Sequence, residues 1–474
     1  MILWGVASGS HDAAISVFED DKLVFATDAE RFSRVKNDKE IPENLLNYVR
    51  DNYGEPDKVY YYENPKVKAS RRVFSKQDKE YKIKNPKYSD IYDFIYTSHH
   101  LSHASYGYYT SPFDECLVLV IDAIGEYETL TLWKTNRIDD HKDEKCYELE
   151  KIDKWIYPKS LGLMYSAFTK LAGWKPNQEE YIMMAASSIK KENLFLTGVF
   201  RKIWNENFNF HRGISIDYAA HNTDDIPASA QSLYEELFKQ IIRQVYDKIE
   251  NNGNLVFCGG CALNVKANQF LKIFDNVYIP TNPGDGGSSI GCVLSRLKKK
   301  ISPSPYLGLE IEGKYPIDEI VKELKDTGLV GVAKGKAEFG PRALGNRSIF
   351  ASPLMKDVKD KLNDIKGREF FRPFGAMILK EDLNQYYEKG INSPYMNSVF
   401  HSKEITKKLY PDILHLDGTT RLQIIDEESN LRSLMNIWKN ETGCPMLINT
   451  SLNVKGQPLA NVRDDVKDIN LKVL

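Results

Sequence analysis

The sequence reads as an α/β protein of two domains, and three observations predict this. The runs LVLVID (117–122) and NLVFCGG (254–260) are short and continuously apolar, as in strands buried on both faces. Stretches of helical spacing alternate with them, among them SLGLMYSAFTKLAG (160–173) and SAQSLYEELFKQIIRQVYDKIENNG (229–253). A chain of 474 residues exceeds one ordinary core, and ISPSPYLG (301–308), with two prolines and no periodicity, is the best linker. The expected domains are 1–305 and 306–474, both within the usual size range.

Residues 2–9, 13–19 and 22–29 are β-rich runs separated by GSHD and EDD, which predicts an antiparallel meander with tight turns. A helix over 42–53 and a strand at KVYYYEN follow. FIYTS is a strand, HHLSHASYGYYTS the helix after it, and YETLTLW and CYELEKI are the partners of LVLVID. Gly173 is a C-cap signal. NVYIPTN leads into PGDGG, then into the helix SSIGCVLSRLKKK, whose Lys298 to Lys300 read as a solvated C-terminus suited to the helix dipole. Beyond the linker, IDEIVKELKDTG is a helix and LVGVAKG a strand. No repeat is visible at a period of 20–50 residues.

Net charge is −2, so no global field attracts nucleic acid or an acidic membrane. Six cysteines do not make a disulfide framework, and Cys258 and Cys261 of CGGC, with no second pair, read as reduced core or loop residues. The N-terminus lacks the features of a signal peptide and no stretch approaches 18 apolar residues, so a cytoplasmic location with no membrane contact is expected.

Three of nine histidines lie in SHHLSHASYGYY (98–109). His99 and His103, four apart on a helix, share a face and can share a cation. Aligned histidines are also often structural, and a third ligand must come from elsewhere: Asp285 in PGDGG, or Asp122 at the end of LVLVID. Two histidines, a carboxylate and open positions suit iron, zinc or manganese. His11, in the GSHD turn, is an ordinary turn residue on its own showing, and ERFSRVKND (30–38) a solvated turn. Gly259 and Gly260 precede a helix carrying Asn264 and Asn268, a place for a phosphate or ribose or simply a tight turn.

In the second domain, EFGPRALGNRSI places Arg342 and Arg347 in a rigid loop. IKGREFFRPF adds Lys366, Arg368 and Arg372; HLDGTTRLQ adds His415, Asp417 and Arg421; INTSLN adds Asn449, Ser451 and Asn453. So many guanidinium forks in loops favour an anion-binding pocket over structural ion pairs.

Taken in order, HDAA (11–14), ERFSRVKND, HHLSHA, IDAIGE, SLGLMYSAFT, GGCALNVKAN, PGDGGSSIG, EFGPRALGNRSI, IKGREFFRPF, HLDGTTRLQ and INTSLN resemble the motifs of one family. It is the O-carbamoyltransferases of nodulation-factor and antibiotic biosynthesis (NodU/CmcH type). The resemblance implies an actin-like first domain, related to tRNA threonylcarbamoyl-transfer proteins, and a smaller YrdC-like α/β second domain. It implies that carbamoyl phosphate and ATP form carbamoyl-adenylate in the second domain and that the first transfers the carbamoyl group to an acceptor hydroxyl. Carried over residue by residue, it gives His99, His103 and Asp285 as metal ligands, His100 standing outside the set, and His11, Asp12, Asp122 and Lys366 as catalytic. It gives Gly259, Gly260, Asn264, Arg342, Arg347, Arg368, Arg372, His415, Arg421, Asn449 and Ser451 as nucleotide- or carbamoyl-phosphate-binding. The implied cofactors are ATP with Mg, and a divalent metal, iron first and manganese or zinc after it. A homodimer is among the expected partners.

Ile182 stands where the family has Lys, Ala185 and Ala123 where it has Gly. The chain ends soon after GQPLANVRDD, which suggests a trimmed second domain or completion by a partner subunit. The acceptor is expected to be a sugar or antibiotic hydroxyl or a hydroxymethylated pyrimidine nucleotide, chosen by regions 65–92, 136–158 and 190–232. The first of these, KVKASRRVFSKQDKEYKIKNPKY, reads as a solvated loop, with an anion site as its alternative. Competing functions are an actin-like kinase or ATPase, which leaves the arginine-rich domain unexplained, and a tRNA-binding assembly factor, which the net charge disfavours.

Overall fold

Two sheets of the same strand order make the frame of the first part of the chain. In the computed structural model, which describes residues 1–138, 146–214, 223–248 and 253–474, the first sheet has the order β3-β2-β1-β4-β5. Its strands are β1 (Ile2–Ala7), β2 (Ala14–Glu19), β3 (Lys22–Asp28), β4 (Lys58–Tyr61) and β5 (Phe94–Tyr96). The first three form the antiparallel meander, and β4 and β5 add in parallel through helical crossovers. The second sheet, β10-β9-β6-β7-β8, repeats that order. It uses β6 (Leu117–Gly125), β7 (Glu128–Ile138), β8 (Cys146–Ile156), β9 (Asn254–Cys258) and β10 (Asn276–Tyr278). Again three strands are antiparallel and two parallel. This duplicated α/β unit is the actin-like fold, and its duplication is topological, which is why no repeat shows in the residues.

The described residues divide into two compact units, Met1–Ala29 with Asn37–Pro303, and Glu30–Lys36 with Ser304–Leu474. The second is α/β as well. A six-stranded mixed sheet, β12-β14-β18-β15-β17-β16, stands beside the two-stranded pair β11-β13. The pair is β11 (Tyr306–Ile311) and β13 (Gly335–Glu338). The larger sheet holds β12 (Leu329–Ala333), β14 (Arg347–Ala351), β15 (Gly375–Leu379), β16 (Val399–His401), β17 (Thr419–Ile425) and β18 (Met446–Ser451). Its core gathers Val330, Phe350, Ile378, Leu447 and Trp438, all fully buried.

ERFSRVKND is not a solvated turn. Arg31 is 2% exposed and donates to the carbonyls of Gly340 (2.8 Å), Glu338 and Ala460. Arg34 donates to Leu459 and Pro458 and pairs with Asp465. Residues Glu30–Lys36 belong to the second unit, and the two guanidiniums bond backbone carbonyls of that unit.

Lys300 is not a solvated cation either. Its ammonium donates to the carbonyls of Tyr108 (2.6 Å), Ser111 (3.2 Å) and Phe113 (2.5 Å) and sits 3.7 Å from the Tyr108 ring centroid. It ties the end of helix His99–Thr110 to the end of helix Ser288–Leu297. Burial pushes its pKa down to about 8. Lys300→Met removes these donors, and we expect a loss of about 1–3 kcal/mol in chemical denaturation, whereas Lys299→Met should be nearly silent.

Of the regions expected to choose the acceptor, residues 139–145 and 215–222 lie outside the described residues, as does the predicted helix end at 249–252.

Candidate active site

Three elements of the first unit converge on one buried cluster. Helix His99–Thr110 follows β5 and carries both histidines on one face. Asp122 lies near the end of β6, and Asp285 starts the turn Asp285–Gly287 that feeds the next helix. One ligand atom from each of His99, His103, Asp122 and Asp285 lies within 4.8 Å of the others, all four residues being buried. The two Nε2 atoms are 3.1 Å apart; His99 Nε2 is 3.1 Å from Asp122 Oδ2, and His103 Nε2 is 3.4 Å from Asp285 Oδ1. Asp285 Oδ1 has no hydrogen-bond partner, nor has the Nδ1 atom of either histidine. Two imidazoles aimed at each other beside an orphaned carboxylate oxygen are a poor resting arrangement and a good cation cradle, so the donor set fits a divalent metal. Asp122 therefore joins the cluster, where the sequence left it as an alternative to Asp285.

The surroundings fix this geometry. Asp122 Oδ1 accepts from the Gly260 N–H (3.0 Å), and Asp285 Oδ2 accepts from the Ser10 hydroxyl (3.1 Å), itself 2.7 Å from the Tyr62 hydroxyl. Glu63 Oε2 lies 3.9 Å from His99 Nδ1 and pairs with Lys68. Gly125 closes the far side: a Cβ there would sit 2.0 Å from His99 Cδ2. His100 points elsewhere, its Nδ1 2.9 Å from the Thr131 hydroxyl, and burial, then His99, holds it neutral. Sequence reasoning missed Ser10, Tyr62 and Glu63. GSHD and YYEN contain them, but nothing in their spacing ties them to Asp285 or His99.

His11 Nδ1 bonds Asp12 Oδ2 (3.0 Å), and Asp12, at φ 53°, is anchored by Asn37 Nδ2 (2.6 Å). Burial opposes charge on His11, but Asp285, Asp12 and Asp122 outweigh it and push its pKa up to about 10. The same contest, with Asp285, Asp122 and Glu63, pushes His99 up to about 9. Burial opposes charge on Asp285 too, yet His99, His11 and His103 bring it down to about 2. Both histidines are raised above their ordinary value of 6.5. Their stabilisation is thus fully present below pH 6.5 and lost as pH rises through 9 to 10. Chelator-treated protein should accordingly show a melting temperature that falls across that window, and Asp285→Asn should flatten the fall.

Gly259 has φ 90°, and a Cβ there would strike the Ile121 carbonyl at 2.2 Å, so this turn presses β9 against β6. Asn264 is held within the protein. Its Oδ1 accepts from Ala267 N and Gln231 Nε2 (both 3.1 Å), and its Nδ2 donates to Gln231 Oε1 (3.2 Å), so it caps a helix and pairs with a neighbour. Cys258 and Cys261 are free thiols. Ile182 is buried in helix Glu180–Ala186.

A second cluster lies within the second unit. Arg342 and Arg421 each bury an Nε without a partner. Burial brings Arg342 down to about 10; burial, then Arg342, Arg368 and Arg372, brings Arg421 well below its ordinary range. Arg368 lies 4.0 Å from the Phe374 ring centroid, and Arg372 is 3.6 Å from Glu369. Lys366, 2% exposed, donates to the Ser451 carbonyl, to Asn453 O (2.8 Å) and to Asn453 Oδ1 (2.9 Å), with no carboxylate among these partners. Burial, then Arg368 and Arg372, lowers its pKa well below the ordinary value. Asn449 Nδ2 reaches Gln423 Oε1 (2.8 Å) and the Ala343 carbonyl, so β17 and β18 steady the loop bearing Arg342.

Two predicted binders are structural instead. Arg347 is fully buried and donates to the carbonyls of Asn461, Lys334, Gly335, Asn346 and Leu309 at 2.9–3.1 Å. Every nitrogen of that buried fork is engaged by a backbone carbonyl. His415 Nδ1 lies 3.2 Å from the Thr419 hydroxyl, which itself donates to Asp417 (2.7 Å). Its Nε2 lies 3.3 Å from both the Arg421 N–H and the Phe374 carbonyl, so both ring nitrogens have partners within the protein. Glu338, unremarked in the sequence, takes the N–H groups of Leu344, Asn346 and Arg347 on Oε1 and shapes the same loop.

Comparison with known proteins agrees with these motifs. Carbamoyltransferase N-terminus matches residues 58–294, and carbamoyltransferase C-terminus matches residues 321–473. The uncharacterised protein MJ1051 of Methanocaldococcus jannaschii is 30% identical, the match covering 98% of this chain and 96% of that protein. Nodulation protein U of Sinorhizobium fredii is 26% identical over 94% of this chain and 93% of its own. Component A of (R)-2-hydroxyglutaryl-CoA dehydratase from Acidaminococcus fermentans matches 63% of this chain and 99% of its own with a TM-score of 0.35 and 11% identity. The chain belongs to the carbamoyltransferase family and is a carbamoyltransferase.

Proposed function

We propose that the chain is an ATP-dependent O-carbamoyltransferase in which the two units perform successive half-reactions. The observation that carries this is the pairing of two clusters of opposite character: a pocket of arginines and Lys366 in one unit, and a histidine–carboxylate cradle in the other.

In the second unit, Arg342, Arg421, Arg368 and Arg372 bind the phosphates of carbamoyl phosphate and MgATP. Water cleaves carbamoyl phosphate to orthophosphate and carbamate; a carbamate oxygen then attacks the α-phosphorus of ATP, the bond from that phosphorus to the β-phosphate oxygen breaks, and pyrophosphate leaves as carbamoyl-adenylate forms, the positive charges screening both steps. Lys366 holds the Ser451–Asn453 backbone in place beside them. Phosphate binding also supplies the negative charge that this buried cationic group lacks.

In the first unit, the acceptor hydroxyl oxygen attacks the carbamoyl carbon, the bond from that carbon to the AMP oxygen breaks, and AMP leaves. His11 takes the hydroxyl proton on Nε2, since Nδ1 is committed to Asp12. It can do so only when the carboxylates that raise its pKa are compensated. His99, His103, Asp285 and Asp122 would hold a divalent cation, iron before manganese or zinc, which would supply that compensation and Lewis-acid stabilisation of the leaving phosphate. Ser10 and Gly260 fix the two carboxylates, and Gly125 fixes His99, so the cradle is pre-organised. The acceptor is a sugar or antibiotic hydroxyl, or a hydroxymethylated pyrimidine nucleotide.

A mass-spectrometric screen of hydroxyl compounds with carbamoyl phosphate and ATP tests the reading. A carbamate ester formed by wild type and not by His103→Ala supports it; no product with any acceptor counts against it.

A further inference from the structure

Glu63 is a buried carboxylate that stands outside the donor set. It follows β4, comes two residues before helix Pro65–Phe74 begins, and is 4% exposed. Lys68 bonds its Oε1 and also reaches the Gly9 carbonyl at 3.4 Å. Its Oε2 stands 3.9 Å from His99 Nδ1. The chain beside it is pinned. The Asn64 N–H donates to Glu126 Oε1 (2.7 Å), and the Asn64 side chain caps the helix by accepting from Lys66 N (3.0 Å). Residues 65–92 are therefore not a solvated loop throughout. They open with a helix whose Lys68 is turned toward Glu63, whereas Lys76, Lys79, Lys82 and Lys84 are exposed. A buried carboxylate is costly unless its charge is compensated and its oxygens are bonded. Lys68 meets the first need and leaves Oε2 for another donor.

The imidazole across that gap has one nitrogen to spare. His99 Nε2 faces the cradle, 3.1 Å from both Asp122 Oδ2 and His103 Nε2, while Nδ1 is buried and unpartnered. The ring is wedged in this orientation. A Cβ on Gly125 would fall 2.0 Å from its Cδ2 and 2.4 Å from its Cγ. Tyr62 packs against it, 5.2 Å between centroids, with its own hydroxyl 2.7 Å from Ser10. The Nδ1 edge thus stays turned toward Glu63. A cation on Nε2 leaves the single ring proton on Nδ1, and such a ring ordinarily donates that proton to a carboxylate, a carbonyl or water. His103 differs. Its Nδ1 is unpartnered too, but its ion pair, among the described residues, is the one that Nε2 makes with Asp285.

We propose that Glu63 is a positioning residue for the metal: it accepts the Nδ1 proton of His99 and so fixes the tautomer whose Nε2 is free to bind. Lys68 offsets the charge of Glu63, which leaves Asp122 and Asp285 to match the two charges of a divalent cation. Glu63 adds affinity through His99, not as a fifth ligand. The proposal rests on the metal-cradle reading and is independent of which group the enzyme transfers.

The test loads the full chain with Zn²⁺, with affinity measured by competition against a chelating dye. Isotope-edited NMR on labelled histidine rings reads the ring protons, and the His99 signal is assigned by its loss in His99→Asn. In the loaded wild type, the Nδ1 proton of His99 should resonate downfield of its His103 counterpart. Glu63→Leu should weaken Zn²⁺ binding by roughly ten-fold to a hundred-fold and erase that difference. Glu63→Gln, whose amide oxygen still accepts, should recover most of the affinity. Lys68→Met removes the ion pair and keeps the carboxylate, so it should hold Zn²⁺ at least as well as wild type. Unchanged affinity in Glu63→Leu overturns the inference. So does an equal loss in Lys68→Met, which marks the pair as structural only. Should either variant not fold, the ring proton decides: no downfield displacement in wild type, or one that Glu63→Gln leaves untouched, overturns the inference. A wild type that binds no Zn²⁺ overturns the cradle and this inference with it, whereas tight binding indifferent to Glu63 overturns this inference alone.

Discussion

Asp285→Ala should abolish carbamoyl transfer, by about 10²–10³-fold or more, and lower metal content more than about 100-fold in affinity. The aspartate is one of four donors within 4.8 Å. Its Oδ1 is the orphaned oxygen that the two imidazoles approach, while its Oδ2 is held by Ser10. Removing it leaves two histidines and Asp122, a set that no longer encloses a cation from the side of the Asp285 turn. It also removes the leading carboxylate that raises the pKa of His11. Metal analysis and acceptor turnover check the two losses together. Pyrophosphate release should persist, because no residue of this cradle lies in the arginine cluster.

Arg347→Met should destabilise the second unit by about 3–5 kcal/mol, lowering its calorimetric transition by about 10 °C. Five backbone carbonyls lose their donor at once, and methionine offers none. Arg347→Lys should recover only part, since one ammonium cannot reach carbonyls arranged around a planar fork. By contrast, Arg421→Met should cost little stability, its Nε having no partner, while removing phosphate affinity. The two arginines, alike in sequence context, should therefore separate cleanly into a structural and a binding role.

Much of this was legible in the residues. Periodicity gives the meander, both apolar strands and the histidine helix, and the spacing of His99 and His103 puts them on one face. The duplicated sheet was not legible, because equal strand order does not require similar residues. Nor was the difference between Arg342 and Arg347: composition shows guanidiniums in a loop, whereas the partner carbonyls come from residues as distant as Leu309 and Asn461. ERFSRVKND misled for the same reason. A charge run looks solvated until the fold wraps carbonyls around it, as it does for Arg31. Lys300 repeats the lesson. In each case charge predicts exposure, and a long-range backbone or side-chain partner decides otherwise.

The central claim is a division of labour between donor activation and transfer, and one measurement tests it most directly: nucleotide products from ATP with and without carbamoyl phosphate, in wild type and His103→Ala. The account predicts AMP and pyrophosphate that appear only when carbamoyl phosphate is present, with pyrophosphate release retained in His103→Ala. ADP formed without any need for carbamoyl phosphate, or loss of pyrophosphate release in His103→Ala, would contradict it.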